Sequence, residues 1–237
     1  MKNKDIKIDM KDFRNYFKSN HPFHVSELDD YMKKSNIKNQ LSPYILEERE
    51  MHVTQMDVFS RLMAERQIFF VDEVSSTTCS IVIAQLMYLN SVSNTEDIVL
   101  NISSPGGSID AGLGLIDTIG FIDCDVKTVN LSLAASMGLV LLVAGKRGKR
   151  VSLPHARFLL HQPLISGGLS GPVDDIQIEA DQLQIIRNKL YDFIGERTGH
   201  TNEEIRQLAP RDYWFGATEA LKLGFIDEIQ KIDWSKK

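Results

Sequence analysis

The chain has 237 residues, 43% of them hydrophobic and 25% charged, with a formal net charge of −5 and an isoelectric point near 5.7. That is enough apolar material for one full core, with or without a small appendage, and the acidic balance excludes the basic footprint that nucleic-acid binding needs. The longest uninterrupted apolar run, residues 137–145, is far below the roughly 18–20 residues that span a bilayer.

The amino-terminal stretch "MKNKDIKIDMKDF" alternates charge with apolar residues and lacks the apolar core of a signal peptide. Residues 1–40 hold nine Lys/Arg and six Asp/Glu, with apolar side chains at helical spacing only at Phe13, Tyr16 and Phe17. They read as an N-terminal extension, marginal as a fold by itself, ahead of a domain over residues 41–237. From Gln67 onward the signal alternates. "QIFFVDEV" predicts a strand, "TTCSIVIAQLMYLNSV" a helix, "DIVLNISS" a strand, "SIDAGLGLIDTIGFI" a helix and "DVKTVNLSL" a strand. Repeated strand–helix units imply right-handed crossovers and an α/β fold with a mostly parallel sheet. The longest helix follows Pro172, where Ile176, Ala180, Leu183, Ile186, Leu190 and Phe193 recur every three or four residues. Gly199 ends it, and Thr201 with Glu204 forms a capping-box pattern for the next helix. Cys79 and Cys124 lie among apolar neighbours without CxxC spacing, which suggests neither a disulfide framework nor a zinc site and fits a reducing cytoplasm.

Three stretches carry chemistry. In "LSLAASMGLVLLVAG" a strand gives way abruptly to an apolar helix, and Ser136 is the hydroxyl at the junction, between Ala135 and Met137-Gly138. A serine on such a turn holds its hydroxyl near the positive end of a helix dipole, where it is either a nucleophile or simply a cap. In "SSPGGSIDAG", Pro105 fixes one φ, while Gly106 and Gly107 can take positive φ and turn their N–H groups toward a ligand. That makes an oxyanion-hole candidate at the carboxyl end of a parallel strand, with a plain Pro-Gly-Gly turn as the alternative. In "ARFLLHQP", His161 ends an apolar strand and precedes a proline. Of the six histidines, His21, His24, His52 and His200 lie in polar segments that suggest solvated positions, and His155 beside Pro154 is the nearby competitor. A serine–histidine acyl-transfer site needs a carboxylate to orient the imidazole. Asp174, Asp175 and Asp212 are candidates: Asp174 precedes Gln177 by three and reads as a helix N-cap, whereas Asp212 in "PRDYWFGATEA" has the apolar neighbours of a buried orienting carboxylate.

"SSPGGSIDAG", "LSLAASMG", "LLHQPL" and "PRDYWFGATEALKLGFIDEI" resemble, in order and with near-family spacing over about residues 42–229, the signature regions of the ClpP family, caseinolytic serine peptidases that associate with AAA+ unfoldases. The resemblance implies Ser136 as nucleophile, His161 as general base and Asp212 as orienting acid, with the N–H groups of Gly107 and Met137 as the oxyanion hole. It further implies a crotonase-like α/β fold with a projecting handle helix, and two stacked heptameric rings enclosing a chamber. There, unfolded polypeptide fed in by an ATPase is hydrolysed without metal or cofactor, since ATP is used by the partner unfoldase. The chain departs from the family at Val99 and Asn101, where aromatic residues commonly help form the ATPase-docking pocket, and in "QPLISGGLSGPVDD", about two residues longer than usual. The glycine-rich lead-in and apolar stripe of the helix after Pro172 suit a handle that packs against another subunit.

Two other classes share parts of this pattern. A crotonase-type acyl-CoA enzyme would keep the fold and the glycine-rich loop without needing Ser136, His161 and Asp212 together. A non-catalytic ring subunit would support an active paralogue. Labelling by a serine-reactive fluorophosphonate separates the first from a peptidase, and the intact Ser136, His161 and Asp212 set speaks against the second. Residues 1–40, polar and ahead of the family-like start, are expected to be a removable pro-segment or an appendage. Mass spectrometry should find the wild type shortened to near Leu41 and Ser136→Ala at full length, and a stably full-length, active wild type would reject processing.

Overall fold

Short β-branched runs and capped helices alternate along the chain, and the computed structural model shows what they build over residues 44–49, 52–164 and 170–236, which are those it describes. The expected extension over residues 1–40 and its boundary lie outside them. The chain divides into two units, one ending at Arg61 and one beginning at Leu62. In the first, β1 (Tyr44–Arg49) and β2 (His52–Asp57) form an antiparallel hairpin that pairs Tyr44 with Asp57 and Arg49 with His52. Sequence periodicity assigned no element there. Helix α1 (Val58–Ala64) follows in the chain.

The second unit is a seven-stranded sheet flanked by helices. Strands β3 (Gln67–Phe70), β4 (Ile98–Ser104) and β5 (Val126–Ala135) run parallel side by side. Helices α2 (Ser76–Val92) and α3 (Ile109–Phe121) make the crossovers. Ser75 and Thr78 form a capping box at the start of α2, and Ser108 caps α3, so the donors at both helix starts have local acceptors. Strand β5 is long enough to serve two neighbours along one edge. Its first half pairs with β6 (Arg150–Ser152) and its second with β7 (Arg157–Leu160), both parallel. Strand β8 (Tyr213–Gly216) adds antiparallel to β7, and β9 (Glu228–Ile229) adds parallel to β6. Helix α4 (Met137–Ala144) follows β5, α5 (Val173–Thr198) and α6 (Asn202–Leu208) follow β7, and α7 (Ala217–Lys222) follows β8. The mixed α/β architecture and the mostly parallel sheet agree with the sequence pattern.

Several local expectations change. Strand β3 stops at Phe70, because the chain then leaves the β4 edge and makes only an isolated bridge from Val74 to Gly107. Pro172, not Asp174, occupies the N-cap of α5, so Asp174 and Asp175 sit inside the first turn, where their charge faces the helix dipole, and Gln177 donates to Asp181 instead. His200 is only partly exposed and its Nε2 lies 3.0 Å from the Leu223 carbonyl. Both cysteines are buried and free, but Cys124 has polar company: its Sγ is 3.3 Å from the Arg66 guanidinium and 3.0 Å from the Ser93 carbonyl.

The 26-residue α5 is divided in two. Its buried residues, Leu190, Tyr191, Ile194 and Gly195, all lie toward its end, whereas Ile176, Ile178 and Ile185 are exposed. The first half thus projects from the unit with its apolar residues uncovered, as the glycine-rich lead-in suggested. Its last turn is tied down through arginines. Arg197 donates from Nε to the Val143 carbonyl (3.1 Å) and from Nη2 to those of Ala144 (3.2 Å) and Gly145. Arg150, 5% exposed, donates to the Arg197 carbonyl (2.9 Å) and forms a two-pronged pair with Asp227 at 2.9 and 2.6 Å. Burial pulls the Asp227 carboxyl upward, but hydrogen bonds from the Arg150 side chain and backbone, together with the Arg150 charge, outweigh it and hold the group below its ordinary value.

A depressed folded-state value means that the stabilisation from Asp227 is complete above the unfolded-state carboxylate value of about 4 and is lost as pH falls through the folded one. Asp227→Asn is expected to cost roughly 1.5–3 kcal/mol near neutral pH, the worth of hydrogen bonds to a charged group. It should also flatten the stability curve below about pH 4. Thermal denaturation of both proteins across pH checks this, and parallel curves would remove Asp227 from the acid transition.

Candidate active site

Strand β5 delivers its last residue, Ala135, into the middle of the sheet, and the chain then turns in one residue. That residue is Ser136, with φ 54° and ψ −125°, a left-handed conformation that is strained for a side chain carrying Cβ. Its N–H donates to the Leu159 carbonyl of β7 (2.9 Å), and its own carbonyl accepts from Leu139 (3.0 Å) and Val140 (3.3 Å) at the start of α4. The Ser136 side chain makes no capping hydrogen bond. Of the two readings of this serine, the structure therefore rejects the cap and leaves a hydroxyl that the helix does not use.

Space for the turn comes from the glycine loop. Gly106, at φ 94°, lies so close that a Cβ there would collide with Ser136 Cβ and the Ala135 carbonyl. Gly107, at φ 145°, is wrapped by Val74, whose N–H donates to the Gly106 carbonyl (2.8 Å) and whose carbonyl accepts from Ser108 (2.7 Å). In a parallel bridge of this kind the bracketed residue turns its own N–H away from its partner. The Gly107 N–H is thus directed off the Val74 side, while Met137, as first residue of α4, has an N–H with no intrahelical acceptor. Both are donors of the sort an anion needs.

The antiparallel pairing of β7 with β8 places the other two candidates. Leu160 pairs with Tyr213, so the next step in register sets His161 opposite Asp212. His161 Nδ1 and Asp212 Oδ1 are 3.9 Å apart, outside direct hydrogen-bonding distance. Gln162 donates to the Pro210 carbonyl (3.2 Å) and fastens the two segments together just beyond them. Asp212 is not the buried carboxylate its neighbours suggested: its side chain is 69% exposed, because it stands in the bend before β8 and at the sheet's edge. The adjacent Tyr213 hydroxyl donates to Glu219 (2.6 Å), a bond that, with burial, pushes the phenol up to about 12. His155 lies apart, beside Trp234 on another surface.

Ser136 and His161 line one small cavity of ≈ 30 Å³, otherwise walled mainly by apolar side chains including Met137, Val140 and Leu160. Leu190, Tyr191 and Ile194 of α5 close it. Sequence reading placed Leu190 on the apolar stripe but passed over Tyr191 and over Arg197, whose guanidinium takes the last carbonyls of α4. Continuation of the three-and-four spacing from Arg187 through Tyr191 to Ile194 is the signal that could have found the former. Val99 and Asn101 stand on β4, with Asn101 buried and its amide 3.4 Å from the Ile68 carbonyl. An uncommitted hydroxyl, an imidazole on the same cavity, a carboxylate one register step away and two free N–H groups form a set capable of acyl transfer.

Comparison with known proteins points the same way. A family description, Clp protease, matches residues 48–233. The chain is 46% identical to an ATP-dependent Clp protease proteolytic subunit of Bacteroides fragilis over 93% of its own length and 98% of the relative's. It is 43% identical to the protein of that name from Porphyromonas gingivalis (93% and 97% covered) and 41% identical to that from Streptococcus mutans (80% and 96%). Neither the acyl-CoA reading nor the non-catalytic one finds support among these matches. With that family matched across the sheet, the cavity and the α5 helix alike, the chain belongs to the Clp protease family.

Proposed function

We propose that the chain is a serine endopeptidase, the proteolytic subunit of an ATP-dependent Clp protease, with Ser136 as nucleophile, His161 as general base and Asp212 as the acid that orients it. The observation that carries the assignment is the β7–β8 register, which sets His161 against Asp212 beside the cavity where a strained Ser136 keeps its hydroxyl uncommitted. In this reading His161 removes the Ser136 proton as Oγ attacks the scissile carbonyl. The oxyanion settles against the N–H groups of Gly107 and Met137, and His161 returns the proton to the leaving amine. Water then repeats the sequence on the acyl-enzyme. These groups supply every proton and charge that the reaction needs, so no metal or cofactor enters the scheme, and ATP is spent by the partner.

The substrate class is unfolded polypeptide delivered by a Clp-type AAA+ ATPase, a partnership implied by the relatives' name. We further propose two stacked heptameric rings and a cytoplasmic location. Among the described residues no helix is long and apolar enough to cross a membrane. The uncovered apolar residues of the first half of α5 support ring-to-ring packing, and an exposed Asp212 at 3.9 Å from His161 is a pair that association can tighten.

Ser136→Ala is expected to lower peptide hydrolysis by several orders of magnitude while particle size stays unchanged. Asp212→Asn should cost roughly 10²–10⁴-fold in rate through the wrong imidazole tautomer. Asp175→Asn, in the first turn of α5, should cost about 1 kcal/mol or less and little activity. Fluorogenic-peptide kinetics on the three variants checks the set, and an Asp175 effect exceeding that of Asp212 would reject the triad. Leu183→Glu, a charge within the stripe, should give smaller particles by analytical ultracentrifugation together with lost activity. A fully active particle of normal size would take that helix out of the interface.

A further inference from the structure

The regular pairing of β7 with β8 ends at Leu160 and Tyr213, one step short of His161 and Asp212. Continuing the same register sets Gln162 opposite Arg211 and Pro163 opposite Pro210. Neither proline has an N–H, so at that step the two segments cannot exchange a backbone hydrogen bond. Among the described residues one side-chain hydrogen bond crosses between them there: Gln162 donates from Nε2 to the Pro210 carbonyl (3.2 Å). A carboxamide N–H is a donor of the same kind as a backbone amide. Gln162 thus stands in for the ladder bond that the prolines remove.

The imidazole and the carboxylate lie between the last rung of the ladder and this bond. His161 Nδ1 and Asp212 Oδ1 are 3.9 Å apart, and among the described residues neither side chain makes a hydrogen bond that would fix it independently. Burial does not fix the acid either, since the Asp212 side chain is 69% exposed. Their separation is therefore set by how the two backbones are held, and a shift of about 1 Å in such a pair is enough to change a rate. Resting on the reading of His161 as base and Asp212 as orienting acid, we propose that Gln162 is a positioning residue, whose amide holds the Pro210–Asp212 segment against the strand end that carries His161 and keeps the carboxylate within reach of Nδ1. Gln162 acts through Asp212 and needs no contact with the substrate.

Gln162→Met keeps the length of the side chain and removes the donor. In the assembled, full-length protein, kinetics with a fluorogenic peptide should show kcat lowered roughly three- to tenfold at unchanged KM, the effect of one neutral hydrogen bond. Particle size by analytical ultracentrifugation should stay that of the wild type. The decisive measurement is the double variant. Introduced into Asp212→Asn, the same substitution should lower kcat by less than about twofold, because the group it positions has already lost its role. An equal loss in both backgrounds overturns the proposal, and so does a loss borne by KM, since Gln162 would then act on the fold at large or on the substrate. Unchanged kinetics in Gln162→Met overturn it too, as do smaller particles, which would make Gln162 an interface residue. Near-normal turnover by Asp212→Asn alone would strike the triad reading itself, and the proposal with it.

Discussion

Helix α4 is only eight residues long and every one of them is buried, so both of its ends must be answered from inside the protein. Much of the surrounding structure meets that constraint. At the carboxyl end, Thr128 donates to the Leu142 carbonyl (2.7 Å) and Arg197 takes those of Val143, Ala144 and Gly145. A guanidinium suits that position because it brings several donors in one plane and opposes the negative end of the helix dipole. Burying it is unfavourable, and burial lowers its pKa, but the carbonyls it meets would otherwise be orphans themselves. At the amino end the opposite arrangement holds. The first N–H groups have no intrahelical acceptor, and the residue before them is the strained Ser136, so the positive end of the helix lies beside that serine.

The same requirement connects the site to the long helix. Arg197 belongs to the last turn of α5, and one turn earlier Leu190, Tyr191 and Ile194 wall the cavity beside Ser136. One element therefore closes one end of α4, walls the small cavity at the other and carries its apolar first half away from the unit. Anything that seats that first half against a neighbour acts on a helix already bonded to α4. Arg150 and Asp227 extend the tie to β6 and to the segment before β9.

Strain at Ser136 is maintained by close packing on both sides. The Leu159 carbonyl fixes its N–H, and the glycine loop presses so near that no side chain fits at Gly106. The loop is itself locked by Val74, which brackets Gly107 on the side away from the site. Strained backbone persists only where the surroundings over-determine it. The His161–Asp212 pair, by contrast, is loosely held, with an exposed carboxylate at the end of a two-strand register. Within one chain Ser136 and the glycine loop are closely packed, whereas Asp212 is exposed and outside hydrogen-bonding distance of His161.

Local chemistry made much of this legible in the residues. Strand–helix alternation from Gln67, the caps at Thr201 and Gly199, and the positions of Ser136, Gly107 and His161 at strand ends depend on residues near in sequence, and the structure keeps them. Elements whose existence rests on a distant partner could not be read. The three-residue β6 and two-residue β9 are strands only because β5 and β6 offer edges to them, and β3 ends at Phe70 because the chain leaves the β4 edge there, although β4 runs on to Ser104. Asp212 was legible as a candidate but not as an exposed one, since burial is decided by what the rest of the chain covers. By itself the sequence determined the fold class, the turn that carries Ser136 and the order of the candidate residues, because periodicity, glycine and capping act over a few bonds. Only the tertiary structure decided that His161 stands opposite Asp212, that Arg197 closes α4 and that Tyr191 borders the cavity beside Ser136, because each depends on registers and packing between segments far apart in the chain.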